Sequence, residues 1–365
     1  MPGNPNTIGV LYLARALEGP AAMHRFKASY RNAAPGIDHD LIVIYKGAEN
    51  DAMAAARAVF ADLPHTALTL PDTGFDIGSY LAAAGQVDHE YLCFINTFTE
   101  LRTPGWLASL HRQIAAPGIG IVGASASYES IQDSMRLRKW VTWLCTHDRI
   151  KFDPKIAQYY GFVLEEECQD WLAQGRAEAA TRWTPKSILR NWRRRRRFRR
   201  RWPNLLSHLQ ERWRTYTAGG EMTRLLRFPA FPNPHIRSNG FLVRRADLLA
   251  ARRRAIHDML DACEFESGAD SLTSQLRRQG LRALVVDRAG AAFDVADWAR
   301  SRTFRLADQE GLLMEDNRTR DFDAQSPAAK ATQAWMSWGD YIAPPPRDLP
   351  RLGMSFAVDA SRTGR

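Results

Sequence analysis

Thr73-Gly74-Phe75-Asp76-Ile77-Gly78-Ser79-Tyr80, followed by His89-Glu90-Tyr91-Leu92-Cys93-Phe94-Ile95-Asn96-Thr97-Phe98-Thr99-Glu100, governs how the rest of the chain is read. The two stretches give a polar loop, a short helix, a buried strand and a second polar loop. In an open α/β sheet, ligands bind in the crevice beyond the carboxyl ends of the strands. Asp76, Asn96 and Glu100 are delivered to that side and are placed to meet a polar ligand.

Outward from this stretch, strand and helix signals alternate through residue 127. Ile8–Leu13, Asp40–Tyr45, His65–Leu70, Tyr91–Ile95 and Gly118–Gly123 read as strands. Arg25–Tyr30, Ala52–Phe60, Tyr80–Ala84 and Trp106–Ile114 read as helix, the last opened by Thr103-Pro104. Continuous apolar strands between helices predict a parallel sheet covered on both faces. Residues 133–227 are rich in Arg and Trp and poor in strand signals, which predicts a helical insertion. Ile236–Val243 resumes strand character, and Ser238-Asn239-Gly240 interrupts it, a sign of a bulge or a close backbone approach to a ligand. Arg245–Leu260 reads as helix, and Ser267-Gly268-Ala269-Asp270 has capping-box spacing before Leu272 and Leu276. Leu281–Val286 reads as a last strand, and the chain from about 325 turns polar and proline-rich, with a loosely ordered tail from 347. The expected fold class is α/β: a Rossmann-like, mostly parallel sheet flanked by helices, with a basic helical insertion.

The chain has 365 residues, 45% hydrophobic and 25% charged, which suits one large or two modest globular domains. No apolar run approaches the roughly 20 residues that span a bilayer. Ile8–Leu13 is short for a signal segment and has no basic lead, so a cytoplasmic protein is expected. Four scattered cysteines without C-x-x-C spacing argue against structural zinc and fit a reducing compartment. The net charge of +10 is local: Arg190, Arg193 to Arg197 and Arg199 to Arg201 are nine arginines, and 10 − 9 leaves +1.

The order of these motifs resembles the nucleotide-sugar glycosyltransferases of the GT-A fold, and more narrowly the bacterial rhamnan-synthesis and family 2-like polysaccharide glycosyltransferases. Ile8–Ala14, Gly74–Tyr80, Tyr91–Asn96 with Trp106-Leu107, Ile119–Ala124, His235–Phe241 and Glu264–Gly268 carry the resemblance. It covers most of 1–130 and 230–300. It implies a nucleotide-sugar-binding half (1–132), the insertion (133–227), an acceptor and catalytic half (228–325) and a tail (326–365). The implied activity is sugar transfer from a nucleoside-diphosphate donor to a hydroxyl of a surface polysaccharide or lipid-linked glycan, with inversion. The chain departs from the pattern where such enzymes carry a D-x-D pair for Mg²⁺ or Mn²⁺: Asn96-Thr97-Phe98 stands there. Asparagine and threonine are poor replacements for two carboxylates around a hard cation. Either the metal is lost, or Glu100 supplies an oxygen. If it is lost, Arg15, Lys46 and Arg102 are the basic groups expected to offset the diphosphate.

Each candidate has a plainer reading beside the functional one. Asp76 contacts the donor's base or ribose, as the resemblance implies, or caps a helix. Asn96 and Glu100 orient the donor, or satisfy their own loop. Of Glu264, Glu266 and Asp270, Glu266 is the expected general base, since Asp270 also fits a capping box. His235, Ser238 and Asn239 fall where acceptor-side residues occur in the resembling fold. Asp316-Asn317-Arg318-Thr319 closes over the donor or forms a turn. Arg193, Arg194, Arg195, Arg196 and Arg197, with Trp192 and Trp202, read first as a membrane-surface segment on the inner face of the plasma membrane, then as a solvated loop, then as a nucleic-acid site. Two rival functions stand: a catalytically silent GT-A-like scaffold, and a nucleic-acid-binding protein.

Overall fold

A computed structural model describes residues 7–146, 158–163, 184–201 and 221–349. Trp202 and the end of the chain from 350 lie outside the described residues. The chain divides into two compact units. Among the described residues, one comprises 7–128 and 232–324; the other comprises those within 129–231 and 325–349.

The first unit is built on an eight-stranded sheet. Its strands are β1 (Ile8–Arg15), β2 (Asp40–Lys46), β3 (Thr66–Leu70), β4 (Tyr91–Ile95), β6 (Ile119–Gly123), β9 (Phe241–Arg244), β10 (Arg282–Val286) and β11 (Ala292–Phe293). The spatial order is β11-β10-β6-β9-β4-β1-β2-β3. Strands β3, β2, β1 and β4 run parallel, as do β6 and β10, and β9 runs antiparallel between β4 and β6. Two short ribbons flank the sheet: β5 (Glu100–Leu101) pairs with β12 (Met314–Glu315), and β7 (Ala126–Ser127) pairs with β8 (His235–Ile236). The expected strand Ile236–Val243 is therefore two strands, split at Ser238-Asn239-Gly240. The split is steric: Gly240 has φ +70°, and a Cβ there would lie 2.4 Å from the Met314 sulfur. The close approach is to Met314, within the protein.

Helices α1 (Pro20–Asn32), α2 (Asp51–Phe60), α3 (Phe75–Ala84) and α4 (Trp106–Ile114) connect the early strands. Proline opens α1 and the Asn50 side chain caps α2 through the Met53 amide. Tyr12 stacks on Phe26 at 3.7 Å, and Phe60 leans on both; each fully buried aromatic contributes about 1.5–3 kcal/mol. Helix α3 starts five residues before the expected Tyr80. Its entry needs two consecutive left-handed residues, Gly74 (φ 71°) and Phe75 (φ 52°).

The late helices differ from expectation. After α5 (Ile131–Thr146), α6 (Pro185–Arg201) and α7 (Glu221–Leu225), all in the second unit, α8 (Arg245–Ala250) stops early. Then α9 (Met259–Ser267) begins anew with an Asp258–Asp261 capping box. Ser267 ends α9 instead of capping a helix, and Ser271 caps α10 (Leu272–Arg278) through the Ser274 amide. Glu264 and Glu266 lie inside α9. After α11 (Asn317–Asp323), the second unit contains α12 (Pro327–Trp338), which the polar, proline-rich composition did not suggest. Ser326 caps it, Pro327 opens it, and Trp335 and Trp338 are fully buried.

Candidate active site

The site forms in the first unit where β1, β2 and β4 end and β9 begins. Strand β1 ends in Arg15, which grips Asp72 with two parallel bonds (2.9 and 3.0 Å) and also reaches Glu18. The paired arginine holds Asp72 below its ordinary carboxylate range. Strand β2 ends in Lys46, a lysine only 1% exposed. Its ammonium donates to the Phe75 carbonyl at 2.6 Å and lies 3.8 Å from Asp72. Burial lowers its pKa, with Asp72 and Asp76 opposing. The Phe75 carbonyl also accepts from Ser79. Lys46 thus fixes the strained corner that enters α3; a non-glycine left-handed residue costs about 1–3 kcal/mol unless its surroundings hold it.

Asp76 follows that corner inside α3, and it is Gly74, not Asp76, that occupies the cap position. The carboxyl is half-buried and has no hydrogen-bond partner among the described residues. Burial raises its pKa; Lys46 opposes this and Glu266 adds to it. Asp76, Lys46 and Glu266 therefore share one electrostatic neighbourhood. Glu266 comes from α9 and is half-buried, with Oε1 accepting from the Ser238 amide at 2.9 Å. Ile77, Ser238, Phe241, Phe265 and Glu266 line one recess.

Asn239 ties the second loop to this place. Its Oδ1 accepts from the Asn96 amide (3.0 Å) and the Thr99 hydroxyl (2.8 Å), and its Nδ2 donates to Asp316 at 3.3 Å. Asp316 is 1% exposed, caps α11 through the Thr319 amide, and pairs with Arg237 at 3.0 Å. Burial pushes its pKa up, but Arg237 and the Thr319 amide outweigh that, so the carboxyl sits below its ordinary value. The Asp316–Thr319 segment is thus a capping box, with Arg318 exposed beside it. Sequence reasoning did not single out Asp72, Arg237 or the Asn239–Asp316 link.

The structure brings Arg15, Lys46, Asp76, Asn96, Ser238, Asn239 and Glu266 to this rim. It places three other candidates apart. Asp270 is exposed and paired with Arg278 at 2.7 Å. His235 is buried, its Nδ1 2.8 Å from the Asn233 carbonyl, within the β7–β8 ribbon. Glu100 lies in β5 between Arg25 (2.9 Å) and Arg320 (3.1 Å).

The residues at the D-x-D position do not fit a hard divalent cation. Asn96 Oδ1 accepts from the Phe98 amide (3.0 Å) and lies 3.0 Å from the Thr99 hydroxyl, an Asx-type turn that satisfies its own loop. The Thr97 hydroxyl donates to the Leu13 carbonyl at 2.7 Å, tying β4 to β1. Glu100 is already neutralised by two guanidiniums. No group of three metal-ligating side chains occurs among the described residues. The three cations expected to offset a diphosphate also have partners: Arg15 and Lys46 as above, and Arg102 with Glu315 at 3.5 Å. Arg318 has no acidic partner among the described residues.

The mixed sheet, with β9 antiparallel inside it, β11 antiparallel at its edge and polar loops at the strand ends, is a Rossmann-like α/β domain. No protein-family profile matches the chain, and no curated protein sequence matches it. Partial likenesses to solved structures exist. Glucosyl-3-phosphoglycerate synthase from Mycobacterium tuberculosis, in complex with Mn²⁺, UDP and phosphoglyceric acid, matches at 17% identity and TM-score 0.26, over 32% of this chain and 42% of that one. The mannosyltransferase PcManGT from Pyrobaculum calidifontis, with GDP-Man and Mn²⁺, matches at 14% identity and TM-score 0.28, over 33% and 36%. S. aureus TarS matches at 11% identity and TM-score 0.26, over 32% and 20%. The chain thus spans less than half the length of each.

Proposed function

We propose that this protein is a glycosyltransferase that moves a sugar from a nucleoside-diphosphate donor to a hydroxyl of a surface polysaccharide or lipid-linked glycan, with inversion. The observation that carries the reading is the arrangement of polar groups beyond the strand ends: Lys46 holds the Phe75 corner that delivers Asp76, and the Ser238 amide holds Glu266. Asp76 keeps an unpartnered carboxyl for the donor's nucleoside. Asn96, held by its own turn and by Asn239, orients the donor. Glu266 keeps one oxygen free of hydrogen bonds among the described residues while the Ser238 amide holds the other. In the transfer step the acceptor oxygen attacks the anomeric carbon, its proton passes to Glu266, and the bond to the diphosphate breaks with the electron pair leaving on oxygen. General-base assistance of this kind contributes on the order of 10²–10⁴ in rate.

No step is routed through a metal. Arg318, exposed beside the Asp316 capping box and without an acidic partner among the described residues, is the cation we assign to the leaving diphosphate. Thermal-shift screening against UDP-, GDP-, dTDP- and CMP-sugars, with EDTA or with Mn²⁺, tests donor class and metal use together. The expected result is stabilisation by one donor class that persists in EDTA. Stabilisation seen only with Mn²⁺ overturns the metal-free assignment, and no stabilisation by any donor overturns the function. A second reading, a donor-binding scaffold without turnover, is favoured by the spent polar groups of Asn96 and Thr97. Donor binding without turnover, unchanged in Glu266→Gln, selects that reading.

A further inference from the structure

Helix α6 carries ten Lys or Arg and no Asp or Glu in seventeen residues, Pro185–Arg201. Arg190, Arg193, Arg196, Arg197 and Arg200 are exposed, and none of them has an acidic partner among the described residues. Three large apolar side chains on the same helix are also exposed: Ile188 at 52%, Leu189 at 50% and Trp192 at 55%. At 3.6 residues per turn these three fall within an arc of about 100°, and the exposed arginines continue from it over about the next 100°. Ser187, on the other side, is buried. The Arg196 guanidinium lies over the Trp192 ring, 5.5 Å from its centre. Like charges at i,i+4, as at Arg193 and Arg197, repel along an exposed helix. Such a helix is relieved by a surface that is negative and also takes apolar side chains.

We propose that the exposed face of α6 docks on an anionic phospholipid surface, with Ile188, Leu189 and Trp192 entering the headgroup boundary and the arginines meeting lipid phosphates. Both halves of the face argue for lipid. Basic residues near an anionic leaflet each contribute about a fivefold gain in binding, and Trp with aliphatic neighbours suits the interface. A nucleic acid would engage the arginines and leave Ile188 and Leu189 in water. This proposal goes beyond the transfer reaction and does not depend on it.

Flotation of the full chain with phosphatidylcholine vesicles, with and without phosphatidylserine, tests it. The expected result is binding to the phosphatidylserine vesicles that falls as salt rises, with little binding to phosphatidylcholine alone. The combined Arg193→Gln, Arg196→Gln, Arg197→Gln and Arg200→Gln variant weakens binding on the order of a hundredfold or more. Trp192→Ala, which keeps every charge, weakens it several-fold. Circular dichroism shows whether each variant keeps its helix content. The proposal is overturned if phosphatidylserine vesicles do not float the protein, if either variant keeps its helix content and floats unchanged, or if single-stranded RNA displaces the vesicles.

Discussion

The rim of the sheet and helix α6 are both crowded with charge, and they treat it in opposite ways. At the rim, Arg15 is matched by Asp72, Arg237 by Asp316, and Lys46 by a carbonyl and a carboxylate. On α6, five exposed arginines have no acidic partner among the described residues. Matched charges hold the protein's own loops in place, and most of the charge at the rim is used that way. The exceptions at the rim, Asp76, one oxygen of Glu266 and the nearby Arg318, are therefore the groups left for a ligand. Unmatched charge on α6 is too extensive to serve a small molecule and faces a surface.

The sharpest break would come at Glu266. Glu266→Gln should lower kcat on the order of 10²–10⁴ while leaving the melting temperature and donor binding unchanged, since the amide still accepts from Ser238. Loss of folding in place of turnover would make Glu266 another matched, architectural charge. Asp316→Ala comes next, because it removes the buried partner of the half-buried Arg237; unfolding by urea should show a loss of about 3 kcal/mol. The same pair sets an acid limit. The folded carboxyl lies below its ordinary value near 3.8, so its contribution is full above that value and is lost as pH falls below it. Gly240→Ala should cost about 1–3 kcal/mol in the same assay, from the positive φ and the clash with Met314.

Asp76→Asn should separate the two kinds of charge within the rim. A carboxyl whose folded pKa is raised loses stability as pH rises from 3.8 through the folded value, so the amide should be the more stable form at pH 7. Donor affinity, read by calorimetry, should fall about tenfold. At the small end, Asp270→Asn should change stability by less than about 1 kcal/mol and leave turnover intact, as an exposed pair with Arg278 predicts. Single Arg193→Gln or Arg197→Gln substitutions should shift stability by about 0.5 kcal/mol or less.

The central parallel strands were legible because they are apolar runs; strand Tyr91–Ile95 and helix Trp106–Ile114 have the same limits in sequence and structure. The direction of β9 was not, since a strand buried on both faces shows the same apolar run whether it is parallel or antiparallel. Helix α12 was hidden by composition, although Ser326-Pro327 is an ordinary helix start. The site was half legible. Asp76, Asn96 and Glu266 stood out as polar residues at loop and helix edges. Asn239, Arg237 and Asp316 cooperate across 77 to 79 residues of chain, and no local spacing reports such contacts. Asp270 stood out as a member of an acidic cluster, but it pairs with Arg278 at the surface, and the cap of α10 is Ser271, four residues after the expected Ser267.

Strand β9 has a consequence for how the molecule is made. It zips Phe241–Arg244 between Tyr91–Phe94 and Ile121–Gly123, closing the sheet with a segment synthesised more than a hundred residues after its neighbours. Until the ribosome has delivered it, β4 and β6 each expose a naked backbone edge with no mate. Such edges recruit other chains. Nascent chains truncated before residue 241 are thus expected to aggregate or to remain bound to chaperones, and the long excursion through the arginine helix sets the length of that dangerous interval.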